Sequence, residues 1–365
     1  MARLGDYVRI RTGKLDANAS SETGEYPFFT CAVEPLRIDT YSYDCECVLV
    51  AGNGDLNVKY YEGKFDAYQR TYIIESIDKA ILSVPYLFLF LDKYVETLRE
   101  QSIGGVIKYI KLGMLTEAQI PLCSLEEQRE AVALLHRVDE LISLRTKQLQ
   151  KLDDLVKSRF VEMFGDCRTN PKGWSTVALG DISTVGSSKR VFVEELQESG
   201  IPFYRGTEIG ALAEGEAITP ELYITKEHYN VLIDAAGKPG IGDLLMPSIC
   251  QDGRIWVVNT EEPFYFKDGR VLWVHAINEK YDPVFLLYTL KDRIMTDYGS
   301  IASGTTFAEL KIFALKQCQI FDVPMDEQKR FAAFITQINK SKLTIKQGLD
   351  KLEQMKQALM QKYFG

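Results

Sequence analysis

The stretch KLDDLVKSRFVEMFG at positions 151–165 and the stretch KLEQMKQALMQKYFG at positions 351–365 have the same design. Each has the composition of a helix end that closes on Phe-Gly, and the two lie 200 residues apart. A repeat of this kind predicts two structural units built alike, so it decides how the rest of the sequence is interpreted.

The two halves match at a constant offset of 200 residues, without a gap, between 104 and 165. At the start of the halves the offset is 175, because RLGDYVRIRTGK (3–14) matches ALGDISTVGSSK (178–189) and YPFF (26–29) matches IPFY (201–204). The second half is therefore predicted to carry an insertion of about 25 residues between 205 and 244. The residues that are identical to the residue 200 positions later are Gly104, Lys111, Leu115, Ile120, Glu127, Gln128, Leu149, Lys151, Leu152, Phe164 and Gly165.

The repeated ends belong to stretches in which apolar residues recur at every seventh position, as in helices that pack along each other. Neither stretch is apolar enough to form a stable helix alone in water, so we expect the two helices to pair, antiparallel. Two separate long core helices are the alternative, but they would not explain the matched places. Ser124, with Glu127, and Asp326 are the expected N-caps. The predicted coiled-coil seam consists of Leu135, Ile142, Leu149, Leu152, Val156, Ile338, Ile345, Leu349, Leu352 and Leu359.

The segments before the helices are rich in short apolar runs bounded by turn signals such as Asn53-Gly54 and Asp268-Gly269. We interpret each as a mixed α/β (α+β) domain with a mostly antiparallel, curved sheet, and with helices over 84–101 and 283–298. The predicted order is a globular domain at 1–123, a spacer helix at 124–165, a second globular domain at 166–323 and a second spacer helix at 324–365.

Composition is that of an ordinary globular protein, with 46% hydrophobic and 26% charged residues and a net charge of −8. The longest apolar run, 80–91, is too short to cross a membrane, and the first residues lack the apolar core of a signal peptide. Seven cysteines without a CxxC pair indicate reduced thiols and a cytoplasmic protein, and Cys45-Glu-Cys47 is a weak alternative metal site.

No motif for catalysis is recognisable. The sequence has no GxxxxGK[ST] phosphate loop, its three histidines are scattered, and Asn170-Pro171-Lys172-Gly173 is not the Asn-Pro-Pro-aromatic tetrad of a DNA adenine methyltransferase. We therefore expect a non-catalytic chain without metal or cofactor.

Each half resembles the target-recognition repeat of the specificity subunits of type I restriction–modification enzymes. In the second half the pattern runs from Gly173-Trp174 and Leu179-Gly180-Asp181 through IPFYRGTEI (201–209) and GDLLMPS (242–248) to the DEQ before the helix (326–328). The first half keeps Leu4-Gly5-Asp6 and EEQ (126–128) but lacks the Trp. The order of the motifs and their duplication are more specific than any single motif.

The resemblance implies two tandem target-recognition domains, with the paired helices giving the molecule pseudo-two-fold symmetry. It implies a double-stranded DNA target in two parts, two methyltransferase subunits docked on the chain, and restriction and translocase subunits in the full complex. That complex would methylate adenine and cut DNA with ATP, while this chain would supply only the recognition. A coiled-coil scaffold without DNA specificity is the competing interpretation.

Candidate DNA contacts are cationic, amide, hydroxyl and aromatic residues in loops, because such groups bind phosphates and base edges. Each could also be an idle exposed side chain, and Arg70 and Arg270 are the best supported because they occupy equivalent places. The candidates of the first half are Arg11, Lys14, Asn53, Asn57, Lys59, Tyr61, Lys64, Gln69, Arg70 and Lys108. The candidates of the second half are Ser188, Lys189, Arg190, Arg205, Gln251, Arg254, Lys267, Arg270, Thr305 and Thr306.

Overall fold

A computed structural model of the chain describes residues 1–304 and 307–365. The chain divides into two compact units: unit 1 comprises Met1–Gln148 with Thr344–Gly365, and unit 2 comprises Leu149–Leu343. Both boundaries between the units therefore fall inside the long helices. The domain limits expected from the sequence stay predictions.

Unit 1 contains eight strands and two complete helices in its described residues, and parts of the two long helices. Its strands are β1 (Ala2–Arg3), β2 (Val8–Thr12), β3 (Tyr26–Phe29), β4 (Leu36–Ile38), β5 (Tyr43–Ala51), β6 (Val58–Ala67), β7 (Thr71–Ser76) and β8 (Gln119–Ile120). Its helices are α1 (Val84–Gln101) and α2 (Leu112–Thr116), followed by α3 (Leu125–Phe164).

The main sheet of unit 1 has the strand order β2-β7-β5-β6-β3-β4. Adjacent strands in this sheet are antiparallel, except that β3 and β6 run parallel, with Phe28 opposite Asp66. The central strand β5 is buried on both faces, because Val48 packs into the core with α1 while Leu49 packs on the other face. The expected mostly antiparallel sheet is thus confirmed.

Unit 2 has smaller sheets and more helices. Its strands are β9 (Thr176–Ala178), β10 (Thr184–Gly186), β11 (Ile201–Tyr204), β12 (Tyr223–Ile224), β13 (Leu244–Pro247), β14 (Trp256–Val257), β15 (Tyr265–Phe266), β16 (Val271–His275), β17 (Ala302–Ser303), β18 (Glu309–Leu310) and β19 (Gln319–Phe321). Its helices are α4 (Leu179–Ile182), α5 (Gly206–Ala213), α6 (Lys226–Ala236), α7 (Pro283–Ile301), α8 (Ile312–Lys316) and α9 (Met325–Phe364).

The two units share one topology. The order β10-β16-β13-β14 in unit 2 repeats β2-β7-β5-β6, and β12-β11-β15 repeats β4-β3-β6 with the same parallel pair. The single strand β6 thus corresponds to the two short strands β14 and β15. The strand before each Leu-Gly-Asp motif also pairs with the strand before each long helix, with Arg3 opposite Gln119 and Ala178 opposite Gln319.

The insertion predicted between 205 and 244 contains α5 and α6, which have no counterpart between β3 and β5 of unit 1. Helix α5 covers the second face of the unit 2 sheet, where Ile209 packs with Trp256 and Trp273. The insertion therefore completes a core that unit 1 closes with strand residues alone.

A buried glutamine ties α3 to the segment before α1. Gln128 is completely buried. Its side-chain oxygen accepts a hydrogen bond from the backbone N–H of Ser83 at 2.9 Å. Its amide nitrogen donates to the carbonyls of Ile81 at 2.8 Å and Cys123 at 3.0 Å. The Gln of the EEQ motif thus satisfies three partly buried backbone groups from a side chain that is itself completely buried.

Gln328 repeats this arrangement in unit 2, and it is also completely buried. Its oxygen accepts from the N–H of Asp282 at 2.8 Å, while its amide donates to Lys280 at 3.0 Å and Val323 at 2.7 Å. The repeated motif is therefore explained by a repeated set of hydrogen bonds.

In unit 1 the start of α3 and the end of α9 pack antiparallel. Lys356 of α9 forms an ion pair of 2.7 Å with Asp139 of α3. Further along α9, Leu359 and Phe364 pack with a core that includes Leu135, which lies earlier on α3. The order along α9 thus runs opposite to the order along α3.

In unit 2 the remaining parts of the same helices are also antiparallel. Lys342 of α9 forms an ion pair with Asp153 of α3. Earlier on α9, the ring of Phe331 lies 5.6 Å from that of Phe160, which is later on α3. Among the ten residues of the predicted seam, none is fully exposed, and the buried ones are Leu135, Val156 and Ile338.

The Phe-Gly ends close the helices onto the cores. Phe164 is completely buried against Phe285 and Phe331, with ring centroids 4.9 and 5.4 Å away. Phe364 packs on Tyr86 at 4.8 Å. Gly165 follows with a φ of +88°, and a Cβ there would meet the ring of Pro171 at 2.9 Å. Glycine is therefore required where α3 ends.

One of the two N-caps was predicted wrongly. Ser124 and Glu127 form the expected reciprocal pair, with the Glu127 N–H donating to Ser124 Oγ at 3.3 Å and the Ser124 N–H donating to Glu127 Oε2 at 2.9 Å. Asp326 is not an N-cap, because α9 begins at Met325 and Asp326 lies inside its first turn.

Within the part of the chain that the structure describes, no helix is long and apolar enough to span a membrane.

Candidate nucleic-acid interface

Loops from distant parts of unit 1 meet at one end of its sheet. The backbone N–H of Gly52 donates to the carbonyl of Arg70 at 2.8 Å, and the backbone N–H of Ile110 donates to the carbonyl of Gly52 at 2.9 Å. Gln69 donates to Leu15 at 2.9 Å. We call residues 13–15, 52–57, 68–70 and 103–110 the loop end of unit 1.

The same contacts recur in unit 2. Ser248 donates to the carbonyl of Arg270 at 2.8 Å, and Leu310 donates to the carbonyl of Ser248 at 2.7 Å. Arg70 and Arg270 therefore occupy structurally equivalent positions. We call residues 186–190, 248–254, 267–270, 303–304 and 307–310 the loop end of unit 2.

Most candidate residues of the first half lie at or next to the loop end of unit 1, but Arg11, Tyr61 and Lys64 lie on strands away from it. Arg11 forms an ion pair of 2.6 Å with Glu75, and its guanidinium lies over the ring of Tyr43. Lys64 lies over the ring of Tyr41, while Tyr61 packs on Phe29 and Phe65. The candidates that come together are Lys14, Asn53, Asn57, Lys59, Gln69, Arg70 and Lys108.

Two of these residues hold the loop itself. The amide of Asn57 donates to the carbonyls of Cys31 at 2.8 Å and Asp55 at 2.9 Å. The ammonium of Lys59 donates to the side-chain oxygen of Asn57, and burial lowers the pKa of Lys59. Asn57 and Lys59 thus stabilise the turn between β5 and β6.

Three cations remain available at the loop end of unit 1. Lys14, Arg70 and Lys108 are exposed, and none has a carboxylate partner among residues 1–304 and 307–365. A cation without an internal partner loses no ion pair when it binds DNA, so these three are the strongest candidates for DNA contacts in unit 1.

The cations of unit 2 differ, because its candidate arginines are paired with carboxylates. Arg190 lies 3.1 Å from Asp268, Arg254 lies 2.7 Å from Asp252, and Arg270 forms an ion pair with Glu309. Lys267 approaches Asp268 at 3.7 Å and also donates to the carbonyl of Val191. These four side chains would bind a polyanion in competition with their carboxylate partners.

Arg205 belongs to the start of α5. Its N–H donates to Glu208 at 2.7 Å, and its guanidinium bonds both Glu208 and Glu221. Burial alone would raise the pKa of Glu208, but the hydrogen bonds from the Arg205 side chain and backbone outweigh it and hold the pKa at about 2. Glu208 is therefore charged at neutral pH and keeps Arg205 occupied.

Of the other candidates of unit 2, one holds its loop by a hydrogen bond and two are exposed. Ser188 donates its hydroxyl to the carbonyl of Phe266 at 2.6 Å, which secures the loop after β10. Lys189 and Gln251 are exposed. Thr305 and Thr306 lie outside the described residues. No group of three or more potential metal ligands occurs in the described chain, so Cys45 and Cys47 do not belong to such a group there.

The candidates drawn from polar residues omitted the apolar loop tips. Val106 is fully exposed, and the next residue, Ile107, is 63% exposed. Phe307, which corresponds to Ile107 in unit 2, is 71% exposed. Apolar side chains directly after Gly104-Gly105 were the signal in the sequence that could have identified them.

A family model described as "Type I restriction modification DNA specificity domain" matches residues 1–154 and 171–354. The type I restriction enzyme EcoDI specificity subunit of Escherichia coli is 36% identical over 154 residues, covering 42% of this chain and 34% of that protein. The MjaVIII specificity subunit of Methanocaldococcus jannaschii is 23% identical over 396 aligned positions, covering 99% of this chain and 90% of that protein.

A solved structure has a similar fold over the whole chain. The S subunit of a type I restriction–modification system from M. genitalium aligns with a TM-score of 0.63 and 16% identity, covering 100% of this chain and 95% of that one. The family model matches most of the chain and does so twice, once in each topological copy. The chain therefore belongs to the specificity subunits of type I restriction–modification enzymes.

Proposed function

We propose that this chain reads a DNA target made of two parts, each part being recognised by one loop end. The observation that carries the proposal is the recurrence of the same backbone hydrogen bonds in both units, which gather polar and cationic loops at the same end of each sheet. Two equivalent surfaces with different side chains suit two half-sites of different sequence.

In this proposal the long helices have a role apart from base recognition. The paired α3 and α9 set the distance between the two half-sites and dock two methyltransferase subunits, and restriction and translocase subunits join the full complex. Adenine methylation and ATP-dependent cleavage belong to those partners, and the chain itself performs no catalytic step. The net charge of −8 is unfavourable for a chain that binds DNA alone, so in this proposal the cationic loops are local and partner subunits supply further positive surface.

Replacing Arg70 or Arg270 tests the proposal. In the complex with methyltransferase subunits, we expect Arg270→Ala to weaken recognition of one half-site by about 5- to 150-fold, as for loss of a base contact of about 1–3 kcal/mol. Arg70→Ala is expected to act on the other half-site. Binding to duplexes altered in one half-site at a time measures both effects.

Matched controls are available in each unit. Arg37 and Lys226 are exposed cations outside the loop ends, and their replacement by alanine should leave discrimination unchanged. Loss of discrimination at both half-sites in the Arg270→Ala complex would contradict the two-reader model. A coiled-coil scaffold without DNA specificity would show no half-site effect in any of these variants.

A further inference from the structure

A tight hairpin projects from the loop end of unit 1. It is closed by two hydrogen bonds between Ile103 and Tyr109, of 3.0 and 2.9 Å. Gly104 adopts a φ of +118°, and a Cβ on it would lie 2.6 Å from the carbonyl oxygen of Ile107. The hairpin therefore requires glycine at this position, and the following residues form its tip.

Unit 2 has an equivalent hairpin with different side chains. Ser303 pairs with Glu309, as Ile103 pairs with Tyr109 in unit 1. Gly304 has a φ of +138°, and a Cβ there would lie 2.7 Å from the carbonyl oxygen of Phe307. The backbone conformation at this glycine is thus common to both units although most residues around it differ.

Both hairpins expose an apolar side chain, Ile107 in one and Phe307 in the other. A single exposed apolar residue is ordinary on a protein surface. What needs explanation is that it recurs at the same topological position, where it belongs to none of the hydrophobic core clusters of the described residues.

Cations flank each tip. Lys108 follows Ile107 directly, and its carbonyl accepts from Gly54 in the loop that is also bonded to Arg70. In unit 2, Glu309 follows the tip and binds both Arg270 and Lys311, the latter at 3.6 Å. An apolar side chain among cations matches a DNA groove, where phosphates line the edges and the bases inside offer their edges and the thymine methyl groups.

We propose that the side chains of Ile107 and Phe307 enter the groove and contact the bases, one tip in each half-site. This inference rests on the proposed function and adds specificity-determining residues to it. Lys108 and Lys311, beside the two tips, hold phosphates, and each tip discriminates bases by apolar contact. Because the two tips differ in shape, they favour different base steps.

The test separates apolar base contact from phosphate contact by salt dependence. In the complex with methyltransferase subunits, we expect Phe307→Ser to weaken binding to the mapped target about tenfold or more. This factor corresponds to the free energy gained by burying a phenylalanine side chain. The slope of log K against log salt concentration should stay unchanged, because no charge is lost. Ile107→Ser should do the same at the other half-site.

Conservative variants and modified DNA sharpen the result. Phe307→Leu should retain part of the discrimination, since it keeps an apolar side chain of similar reach. A duplex with uracil in place of thymine lacks only the methyl group, so weaker binding to it indicates contact with that methyl group. A duplex with 2-aminopurine reports unstacking by its fluorescence, so a change in emission indicates insertion of the side chain between bases. Unchanged discrimination in both serine variants would overturn the inference while leaving the proposed function intact. A wild-type complex that discriminates neither half-site would overturn both.

Discussion

Replacing Gln328 with leucine is expected to destabilise unit 2 by about 3–6 kcal/mol. Leucine fills a similar volume but leaves the N–H of Asp282 and the carbonyls of Lys280 and Val323 without partners. Val323 is buried, while the hydrogen bonds of the Asp282 N–H and the Lys280 carbonyl are partly buried, so we take about 1–2 kcal/mol for each of the three orphaned groups. The loss is large because the substitution removes one partner from each of three hydrogen bonds and leaves the other partner partly or fully buried.

Tryptophan fluorescence measures this effect in unit 2 selectively. The three tryptophans of the sequence, Trp174, Trp256 and Trp273, all belong to unit 2. We expect the midpoint of urea unfolding, followed by their emission, to fall in Gln328→Leu. Gln337→Leu, on the exposed face of the same helix, should change the free energy of unfolding by no more than about 0.5 kcal/mol. Equal midpoints for the two variants would refute the role of Gln328.

Phe164→Ala is the second change with a large expected effect, about 3–5 kcal/mol, because it opens a cavity in the core of unit 2. Phe164 is completely buried, and its ring contacts those of Phe160, Phe285 and Phe331. These rings come from α3, α7 and α9, so the cavity loosens all three helices at once.

The matched control is Phe313→Ala in the same unit, since Phe313 is 77% exposed. The tryptophan emission midpoint should fall in Phe164→Ala and stay within about 0.5 kcal/mol of wild type in the control. Phe364→Ala should produce the corresponding loss in unit 1, where it packs on Tyr86, and far-UV circular dichroism can follow it. A stable Phe164→Ala variant would mean that the Phe-Gly end does not anchor the helix.

Much of the fold was predictable because its signals are local or repeated. Helix α1 begins and ends where the sequence predicted, at Val84 and Gln101, since Pro85 suits a first turn. The repeat predicted two similar units, and their shared strand order agrees with it. Helix α6 was missed although its signals were present. Thr225 caps its start by accepting from His228, and Gly237 ends it with a φ of +81°.

The candidate interface was only partly predictable, because it depends on long-range contacts. Polar loops could be recognised from composition, but Gly52 meets Arg70 and Ile110 only after the strands have paired. The ion pairs Arg190–Asp268 and Arg270–Glu309 join residues 78 and 39 positions apart, and no local pattern indicates them. The apolar tips do not fit the rule that cationic and polar side chains contact DNA, so that rule does not select them.

The measurement that tests the central claim most directly is the methylation target of a hybrid chain. Residues 1–123 are exchanged for the corresponding segment of another family member, and residues 166–323 are exchanged in a second hybrid. Each hybrid is combined with methyltransferase subunits, and modified adenines are mapped by single-molecule sequencing. We predict that each hybrid changes one half of the target and keeps the other half. A change in both halves after one exchange would contradict the account.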